Sequence, residues 1–306
     1  MSCQTRGTRL LPIFRLAVIA FLLVAVSTIP SLALTGQEAR LRLLDAGWEP
    51  AHADGIVDRV ERSTGRVVAV FDHDNTLICG DITEGNGKSQ PGFMRSLLLA
   101  RKDAGTLPPE VPPEAFDDPW EFYHAWARRE PQVAYGWICT LLAGQTPAEA
   151  RQAAEEYYAC HVKPAIYPEM RELVEVLKDL GVEVWVVSAS AEPVVRSAAR
   201  FFGLPEDHVL GVRLAEENGR ILPRVIPPIS FAAGKTWYIK QFVGEFPPGN
   251  ILVFGDSYRT DGHMLRFGAA QGGFSLLVNP APDLIPTLET HGIRSQPLAS
   301  KAALDR

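Results

Sequence analysis

The chain has 306 residues, of which 46% are hydrophobic and 22% charged, and its net charge is −6. This length and composition are typical of a folded protein with a full hydrophobic core, and they exclude a disordered or fibrous chain. No basic tail offsets the acidic balance, which argues against nucleic acid as the main partner.

The first 33 residues have the pattern of a signal peptide. Three arginines precede eleven uninterrupted apolar residues (16–26), and the small residues Ser31 and Ala33 suit cleavage after Ala33. The alternative is a retained membrane anchor, since extending the apolar run through residue 34 gives about 19 residues. Pro30 and the small-residue site favour cleavage. We therefore predict a periplasmic or secreted protein without stable membrane association after cleavage.

Three cysteines remain once Cys3 leaves with the signal peptide: Cys79, Cys139 and Cys160. An odd number allows at most one internal disulfide, and export makes such a bond possible. The expected pair is Cys139 with Cys160. No Cys-x-x-Cys or paired-histidine spacing indicates a zinc site.

Five apolar residues, 67–71, predict a short strand that is buried on both faces. The run ends in Asp72-His73-Asp74, where a parallel sheet exposes its carboxyl edge and ligands bind. Two carboxylates this close repel each other, so the pair favours a cation, a shared proton or two separate catalytic roles. The alternative is an ordinary turn, in which Asp and Asn are common.

Strands that alternate with helices on both sides of this motif predict a doubly wound parallel sheet. Before it, residues 37–62 are helical with a break at 47–50. The candidate buried positions there are Leu41, Leu44, Ile56, Val57 and Val60. After it, the predicted helices are 170–180 and 191–202, and the predicted strands are 182–187, 209–214, 251–254 and 275–278.

Residues 79–164 break this alternation and predict a helical cap inserted directly after the aspartate pair. Its predicted helices are 120–129, 134–143 and 147–159, the last capped by Thr146. The expected organisation is a core of 34–78 and 165–290, the cap of 79–164, and a loosely ordered tail of 291–306. Aromatic residues are dense in the cap; most suit a small core, but some could bind a cationic group.

Polar side chains recur directly after buried strands. Asp72 and Asp74 follow the first strand, Ser188 follows the next, and Asp256 with Asp261 follows the late strand. Because the carboxyl ends of parallel strands meet at one edge of a sheet, we expect these side chains to lie together. Turn chemistry explains one such motif more easily than it explains three.

These motifs resemble those of the haloacid dehalogenase superfamily of phosphohydrolases: Asp-x-Asp-x-Thr, a strand-end Ser, a Lys before a helix, and Gly-Asp with a second Asp five residues on. The position of the cap resembles the phosphoserine-phosphatase branch. Asp-His-Asp-Asn-Thr, Ser-Ala-Ser and Ala-Gly-Lys are similar to segments of exported bacterial phosphorylcholine phosphatases. The resemblance covers most of residues 40–285 and implies a Rossmann-like α/β core with a helical cap.

The resemblance implies a phosphatase that acts through an aspartyl-phosphate, with Asp72 as nucleophile and Asp74 as general acid and base. It also implies a Mg²⁺ ion, because a phosphate dianion approaches a carboxylate cluster only with a cation to neutralise it. His73 should point away from the nucleophile. The remaining implied roles are metal binding by Asp72, Asp256 and the backbone carbonyl of Asp74, orientation of the metal shell by Asp261, and phosphoryl binding by Ser188 and Lys235.

Glu84 matches in spacing an acidic residue that helps to bind the trimethylammonium head in the phosphorylcholine enzymes. With Asp81, Trp120 and Tyr123 it implies a small amine-bearing phosphomonoester such as phosphocholine or phosphoethanolamine. An exposed loop acid is the alternative interpretation of Glu84. The alternative functions are a phosphoserine phosphatase, a broad-specificity acid phosphatase, and an exported protein that binds a phospho-ligand without turnover.

Overall fold

The computed structural model describes residues 34–86, 91–107 and 117–304. The predicted signal peptide, residues 1–33, lies outside the described residues. Within them, no helix is both long enough and apolar enough to cross a membrane.

A parallel six-stranded sheet forms the centre of the described fold, in the order β3-β2-β1-β6-β7-β8. The predicted α/β class with a parallel sheet is therefore confirmed. Phe71, the last residue of β1, is in register with Val186 of β2 and Phe254 of β6, so the three strands bring their ends to one edge. The strands are β1 Val68–Phe71, β2 Glu183–Ala191, β3 Val209–Val212, β4 Leu214–Glu217, β5 Arg220–Val225, β6 Ile251–Gly255, β7 Phe274–Val278 and β8 Arg294–Gln296.

Hydrophobic cores lie on both faces of this sheet, because alternate residues of a strand point to opposite sides. Ala69 and Phe71 belong to one core, while Val68 and Val70 belong to the other.

The helices are α1 Gly36–Asp45, α2 Pro50–Glu61, α3 Phe93–Asp103, α4 Pro119–Arg129, α5 Pro131–Cys139, α6 Pro147–Tyr157, α7 Pro168–Asp179, α8 Glu192–Val195, α9 Ser197–Phe202, α10 Ala233–Tyr238, α11 Tyr258–Ala270, α12 Ile285–Thr290 and α13 Lys301–Leu304.

The first helix presents a different face to the core from the one predicted. Leu41 and Leu44 are 54% and 39% exposed, whereas Ala39 and Leu43 are fully buried. Helix α1 is short and weakly amphipathic, so its small residue at 39 could not be recognised as the one that packs closely. The prediction for α2 is confirmed at Ile56 and Val57, which are buried.

Helices α3 to α6 lie between β1 and α7, in the segment that the sequence analysis assigns to an insertion, and Thr146 makes the expected capping box with Glu149. The antiparallel hairpin β4–β5, which the sequence pattern did not predict, packs against this insertion. The backbone N–H of Gly144 donates to Ile221 at 2.9 Å, and the N–H of Ile221 donates to Gln145 at 2.9 Å. The hairpin thus extends the insertion although it comes much later in the chain.

The prediction of a loosely ordered tail at 291–306 is wrong. Residues 294–296 form β8, which pairs with β7, and Ile293 and Leu298 are buried. Gln296 is also buried; its Oε1 accepts from the backbone N–H of Glu49 at 3.1 Å and lies 2.8 Å from Nδ1 of His52. A three-residue strand of sequence Arg-Ser-Gln is too short and too polar to give a hydrophobic pattern, which is why the sequence did not reveal it.

The expected disulfide between Cys139 and Cys160 does not form. Cys139 is buried and its thiol donates to the carbonyl of Tyr135 at 3.1 Å, while Cys160 is exposed. Burial raises the pKa of the Cys139 thiol, which keeps it protonated and unreactive.

Candidate active site

Asp72 is the first residue after β1 and is buried at the edge where the strands end. Its backbone N–H donates to the carbonyl of Phe254 at 2.9 Å, which extends the sheet by one residue. Thr76 supports the turn, since its hydroxyl lies 3.4 Å from Oδ2 of Asp72 and 3.4 Å from Oδ1 of Asp256. The side chain of Asp72 is therefore held in a fixed position at the sheet edge.

Lys235, at the start of α10, is completely buried and contacts two carboxylates. Its Nζ contacts Oδ1 of Asp72 and lies 2.7 Å from Oδ1 of Asp261. Burial alone would lower the pKa of Lys235, but these carboxylates outweigh burial and raise it. Gly234 allows the approach, because a Cβ there would lie 1.8 Å from the carbonyl oxygen of Ile229.

Asp256 and Asp261 complete an acidic cluster with Asp72, in which one carboxylate oxygen from each lies within 4.8 Å of the others. Asp261 is saturated: its Oδ2 accepts from the backbone N–H groups of Asp256 at 3.1 Å and Ser257 at 3.2 Å. Gly255 is required there, since a Cβ would lie 2.6 Å from that same oxygen. Asp256 is less buried than Asp261, so it is the more available of the two to a ligand.

The crowding of these carboxylates is visible in their pKa values. Burial and the charge of Asp261 raise the pKa of Asp72 to about 7, against the lowering effect of Lys235. Burial and the charges of Asp261 and Asp72 raise the pKa of Asp256 well above its usual range. A hard divalent cation would remove this repulsion, and carboxylate oxygens are the ligands that Mg²⁺ prefers.

Asp74 accepts hydrogen bonds at both of its carboxylate oxygens. Oδ1 accepts from the N–H of Ile82 at 2.7 Å and lies 3.0 Å from Nδ1 of His73, while Oδ2 accepts from the hydroxyl of Ser190 at 2.7 Å. Burial raises the pKa of Asp74, but its interaction and hydrogen bond with His73, together with the donors Ile82 and Ser190, outweigh burial and lower the pKa. The sequence predicted only that His73 points away from the nucleophile; in the structure its ring contacts the carboxylate of the second aspartate, Asp74.

The serine of β2 that lines the cavity is Ser190, whereas the sequence analysis assigned phosphoryl binding to Ser188. The predicted strand 182–187 continues as β2 to Ala191, with a register irregularity between Val187 and Ala191. Ser188 is fully buried and does not line the cavity between the sheet edge and the insertion. Its Oγ accepts from the N–H of Ser190 at 3.0 Å and lies 3.4 Å from Oδ2 of Asp74. The cavity is lined by Ser190 instead, and the Ser-Ala-Ser spacing was the signal for this second serine.

A cavity of about 240 Å³ lies above these groups, between the sheet edge and the insertion. Asp81 and Glu84 line it on the insertion side. Oδ1 of Asp81 accepts from the N–H groups of Thr83 at 2.6 Å and Glu84 at 2.9 Å, which fixes the loop. Burial and the charge of Asp74 raise the pKa of Asp81, and burial raises that of Glu84.

Two tyrosines of the insertion, Tyr123 and Tyr135, also line the cavity. Trp120 does not; it stacks on Tyr123 with ring centroids 5.1 Å apart, and the guanidinium of Arg95 lies 5.2 Å from its ring. Trp120 therefore supports a lining residue from behind. Helical spacing alone could not tell which aromatic side chains of the insertion would face the cavity.

The segments that form the cavity also match a known protein family. The sequence model of the haloacid dehalogenase-like hydrolases matches residues 69–266, which include β1, the insertion and the acidic cluster. The chain belongs to the haloacid dehalogenase-like hydrolase family. The parallel α/β fold is the one that the resemblance implies, and Asp72, Lys235 and Asp261 all lie within the matched residues.

One curated protein and two solved structures are similar to this chain. The chain is 25% identical to the phosphorylcholine phosphatase of Pseudomonas aeruginosa, over 69% of this chain and 74% of that enzyme. Two solved structures of unknown function share the fold. One, from Bordetella pertussis, has 21% identity and a TM-score of 0.60, covering 77% of this chain and all of the other. One from Anaerococcus prevotii has 20% identity and a TM-score of 0.58, covering 81% and 92%.

Replacement of Lys235 by Ala should destabilise the protein strongly. The change leaves the buried carboxylates of Asp72 and Asp261 without their cation, so the free energy of unfolding should fall by about 3–5 kcal/mol. Urea unfolding at about pH 8, where the carboxylates ionise, measures this. Lys163→Ala removes an exposed lysine and should change stability by less than about 0.5 kcal/mol. Equal, small losses in both variants would contradict the ion-pair interpretation.

Proposed function

We propose that this hydrolase is an exported, Mg²⁺-dependent phosphomonoesterase that acts on a small amine-bearing phosphomonoester such as phosphocholine or phosphoethanolamine. The observation that carries the proposal is the floor of the cavity, where Asp72, Asp74, Lys235 and Asp256 come together from separate segments of the chain. The family match supports hydrolysis, and the similarity to phosphorylcholine phosphatase supports a phosphomonoester as the substrate.

The donor set suits a magnesium ion. Asp72, Asp256 and the backbone carbonyl of Asp74 would hold the ion, and Asp261, which is saturated by backbone N–H groups, would keep the loop in place. Burial and the repulsion between neighbouring carboxylates raise the pKa values of Asp72 and Asp256, and a divalent cation would offset both effects. When bound, Mg²⁺ supplies positive charge that lets a phosphate dianion approach these acids.

In the proposed reaction, Asp72 and Asp74 carry out the bond-making and proton-transfer steps. An oxygen of Asp72 attacks phosphorus, the bond from phosphorus to the alcohol oxygen breaks, and Asp74 donates its proton to that oxygen. Asp74 next takes a proton from water, whose oxygen attacks the phosphorus and releases phosphate from Asp72. Lys235 holds a phosphoryl oxygen and stabilises its charge. Ser190 of β2, which also lines the cavity, donates its hydroxyl to a second phosphoryl oxygen.

The insertion supports a preference for a cationic head group. Asp81 and Glu84 supply negative charge, and Tyr123 and Tyr135 supply aromatic faces that attract a quaternary or primary amine. Among the described residues that line the cavity, Lys235 is the one basic side chain, and it is already paired. The described lining of the cavity therefore holds no unpaired basic side chain for the carboxylate of a substrate such as phosphoserine.

Export is part of the proposal and rests on the sequence of residues 1–33. Arginines, an uninterrupted apolar run and a small-residue site occur in the order of a signal peptide.

Phosphate release by the purified mature chain tests the proposal. Phosphocholine, phosphoethanolamine, phosphoserine and p-nitrophenyl phosphate are compared with Mg²⁺ and with EDTA. Release should require Mg²⁺, should be fastest with the two amine esters, and should fall to background in Asp72→Asn, which lacks the nucleophile. Asp58→Asn, an acid outside the cavity, is the matched control. No release from any substrate would contradict the proposed activity.

Replacement of Glu84 by Gln should separate recognition from chemistry. Loss of the carboxylate should raise KM for phosphocholine by about 10-fold, because it removes a charge–charge attraction of roughly 1.4 kcal/mol to the trimethylammonium group, which has no N–H to donate. KM for p-nitrophenyl phosphate, which has no cationic group, should change little. Glu156→Gln, at an exposed position of α6, is the matched control. Equal increases for both substrates would remove Glu84 from head-group recognition.

Magnesium should stabilise the protein more at alkaline than at acidic pH. The raised carboxyl pKa values mean that the metal-free folded state binds protons more tightly than the unfolded state, so its stability falls as pH rises from about 4 to about 7. Mg²⁺ replaces those protons, so its effect on Tm should be larger near pH 8 than near pH 5.

Thermal unfolding with and without Mg²⁺ at both pH values measures this difference. Asp256→Asn should reduce the gain at the higher pH, because it removes one metal ligand and one of the crowded charges. The same gain at both pH values would contradict metal binding by the acidic cluster.

A further inference from the structure

His73 lies between the two aspartates of the first motif and is completely buried. Its Nδ1 lies 3.0 Å from Oδ1 of Asp74, and its Nε2 lies 3.2 Å from the hydroxyl of Tyr158. An ionised carboxylate only accepts hydrogen bonds, so Nδ1 carries the hydrogen and donates it to Asp74. In the neutral ring, Nε2 then accepts from Tyr158, and the three side chains form one hydrogen-bonded chain.

Tyr158 is held as firmly as the histidine. It is completely buried, and its ring stacks on Phe201 with centroids 4.4 Å apart. It begins a π-helical turn, Tyr158–Val162, where the chain returns from the insertion to the core. The ring of His73 is thus fixed from the side opposite Asp74 by a residue of the returning segment.

We propose that His73, held by Tyr158, is a positioning residue that sets the carboxylate of Asp74 for proton transfer to the leaving oxygen. The inference rests on the proposed function of Asp74. Oδ1 faces the N–H groups of His73 and Ile82, which can only donate. Oδ2 faces the hydroxyls of Ser190 and Ser188, at 2.7 and 3.4 Å, which can turn to accept a hydrogen bond. When Asp74 is protonated for its general-acid role, the transferable proton is therefore carried by Oδ2. That oxygen lies beside Ser190, which lines the cavity. His73 itself keeps its hydrogen throughout the reaction.

Replacing His73 by Asn or by Gln distinguishes a role in positioning Asp74 from a role in packing alone, because each amide can replace only one of the two ring nitrogens. In His73→Asn the amide nitrogen can take the place of Nδ1 and donate to Asp74, whereas in His73→Gln the amide reaches the place of Nε2 and Tyr158. The readout is kcat/KM, which includes steps only as far as the first irreversible one, for phosphocholine and for p-nitrophenyl phosphate. Choline needs a proton to leave, while p-nitrophenolate leaves without one.

His73→Gln should lower kcat/KM for phosphocholine by about 100-fold and for p-nitrophenyl phosphate by less than about fivefold, because misplacing a catalytic group slows only the step that uses it. His73→Asn should recover most of the phosphocholine activity. Tyr158→Phe keeps the stack on Phe201 and removes only the hydroxyl, so it should give a smaller loss that is also confined to the alkyl ester. Thermal unfolding checks that each variant is folded.

Two outcomes would overturn the inference while the proposed function stands: equal losses on both esters, or a His73→Gln variant as active as His73→Asn. If His73→Gln does not fold, Tyr158→Phe decides in its place, since an unchanged ratio of the two activities would overturn the inference. A wild-type protein that hydrolyses neither ester would overturn the proposed function, and this inference with it.

Discussion

Burial of the Lys235 ammonium between Asp72 and Asp261 is the interaction on which the rest of the site depends. A fully buried ammonium group is stable only when it is paired and hydrogen-bonded. The pairing therefore fixes three segments relative to one another: the end of β1, the start of α10 and the first turn of α11. The floor of the cavity is assembled by folding itself, before any ligand binds. With Asp256 nearby, the carboxylates still outnumber the one ammonium group, which is the electrostatic basis for the metal ion that we propose.

The insertion adds a second, separable layer to this floor. It contributes acids and tyrosines to the opposite side of the cavity, and it contacts the core at defined points. Arg259 of α11 donates to the carbonyl of Ala127 at 3.0 Å, and the ring of Tyr135 packs edge-on against Phe231. The floor carries the features shared with the haloacid dehalogenase-like hydrolases. The insertion side carries the features that, in our proposal, select the substrate.

Much of the core and of the floor could be predicted from the sequence, because both follow from short-range patterns. A buried apolar run that ends in acids predicts a strand and its functional edge, and Asp72, Asp256 and Asp261 do lie together. Features that depend on details of packing could not be predicted. The extension of β2 beyond Ser188 reverses which serine faces the cavity. The contact between His73 and Tyr158 joins residues that are 85 positions apart.

Identifying the residue to which phosphate becomes attached during turnover tests the proposed covalent mechanism. The mature protein, mixed with phosphocholine and Mg²⁺, is quenched in acid within the first turnover, digested and examined by mass spectrometry. We expect a phosphorylated peptide that carries its phosphate on Asp72. Turnover with no covalent phosphate, or with phosphate on another residue, would contradict a mechanism built on the buried aspartate beside Lys235.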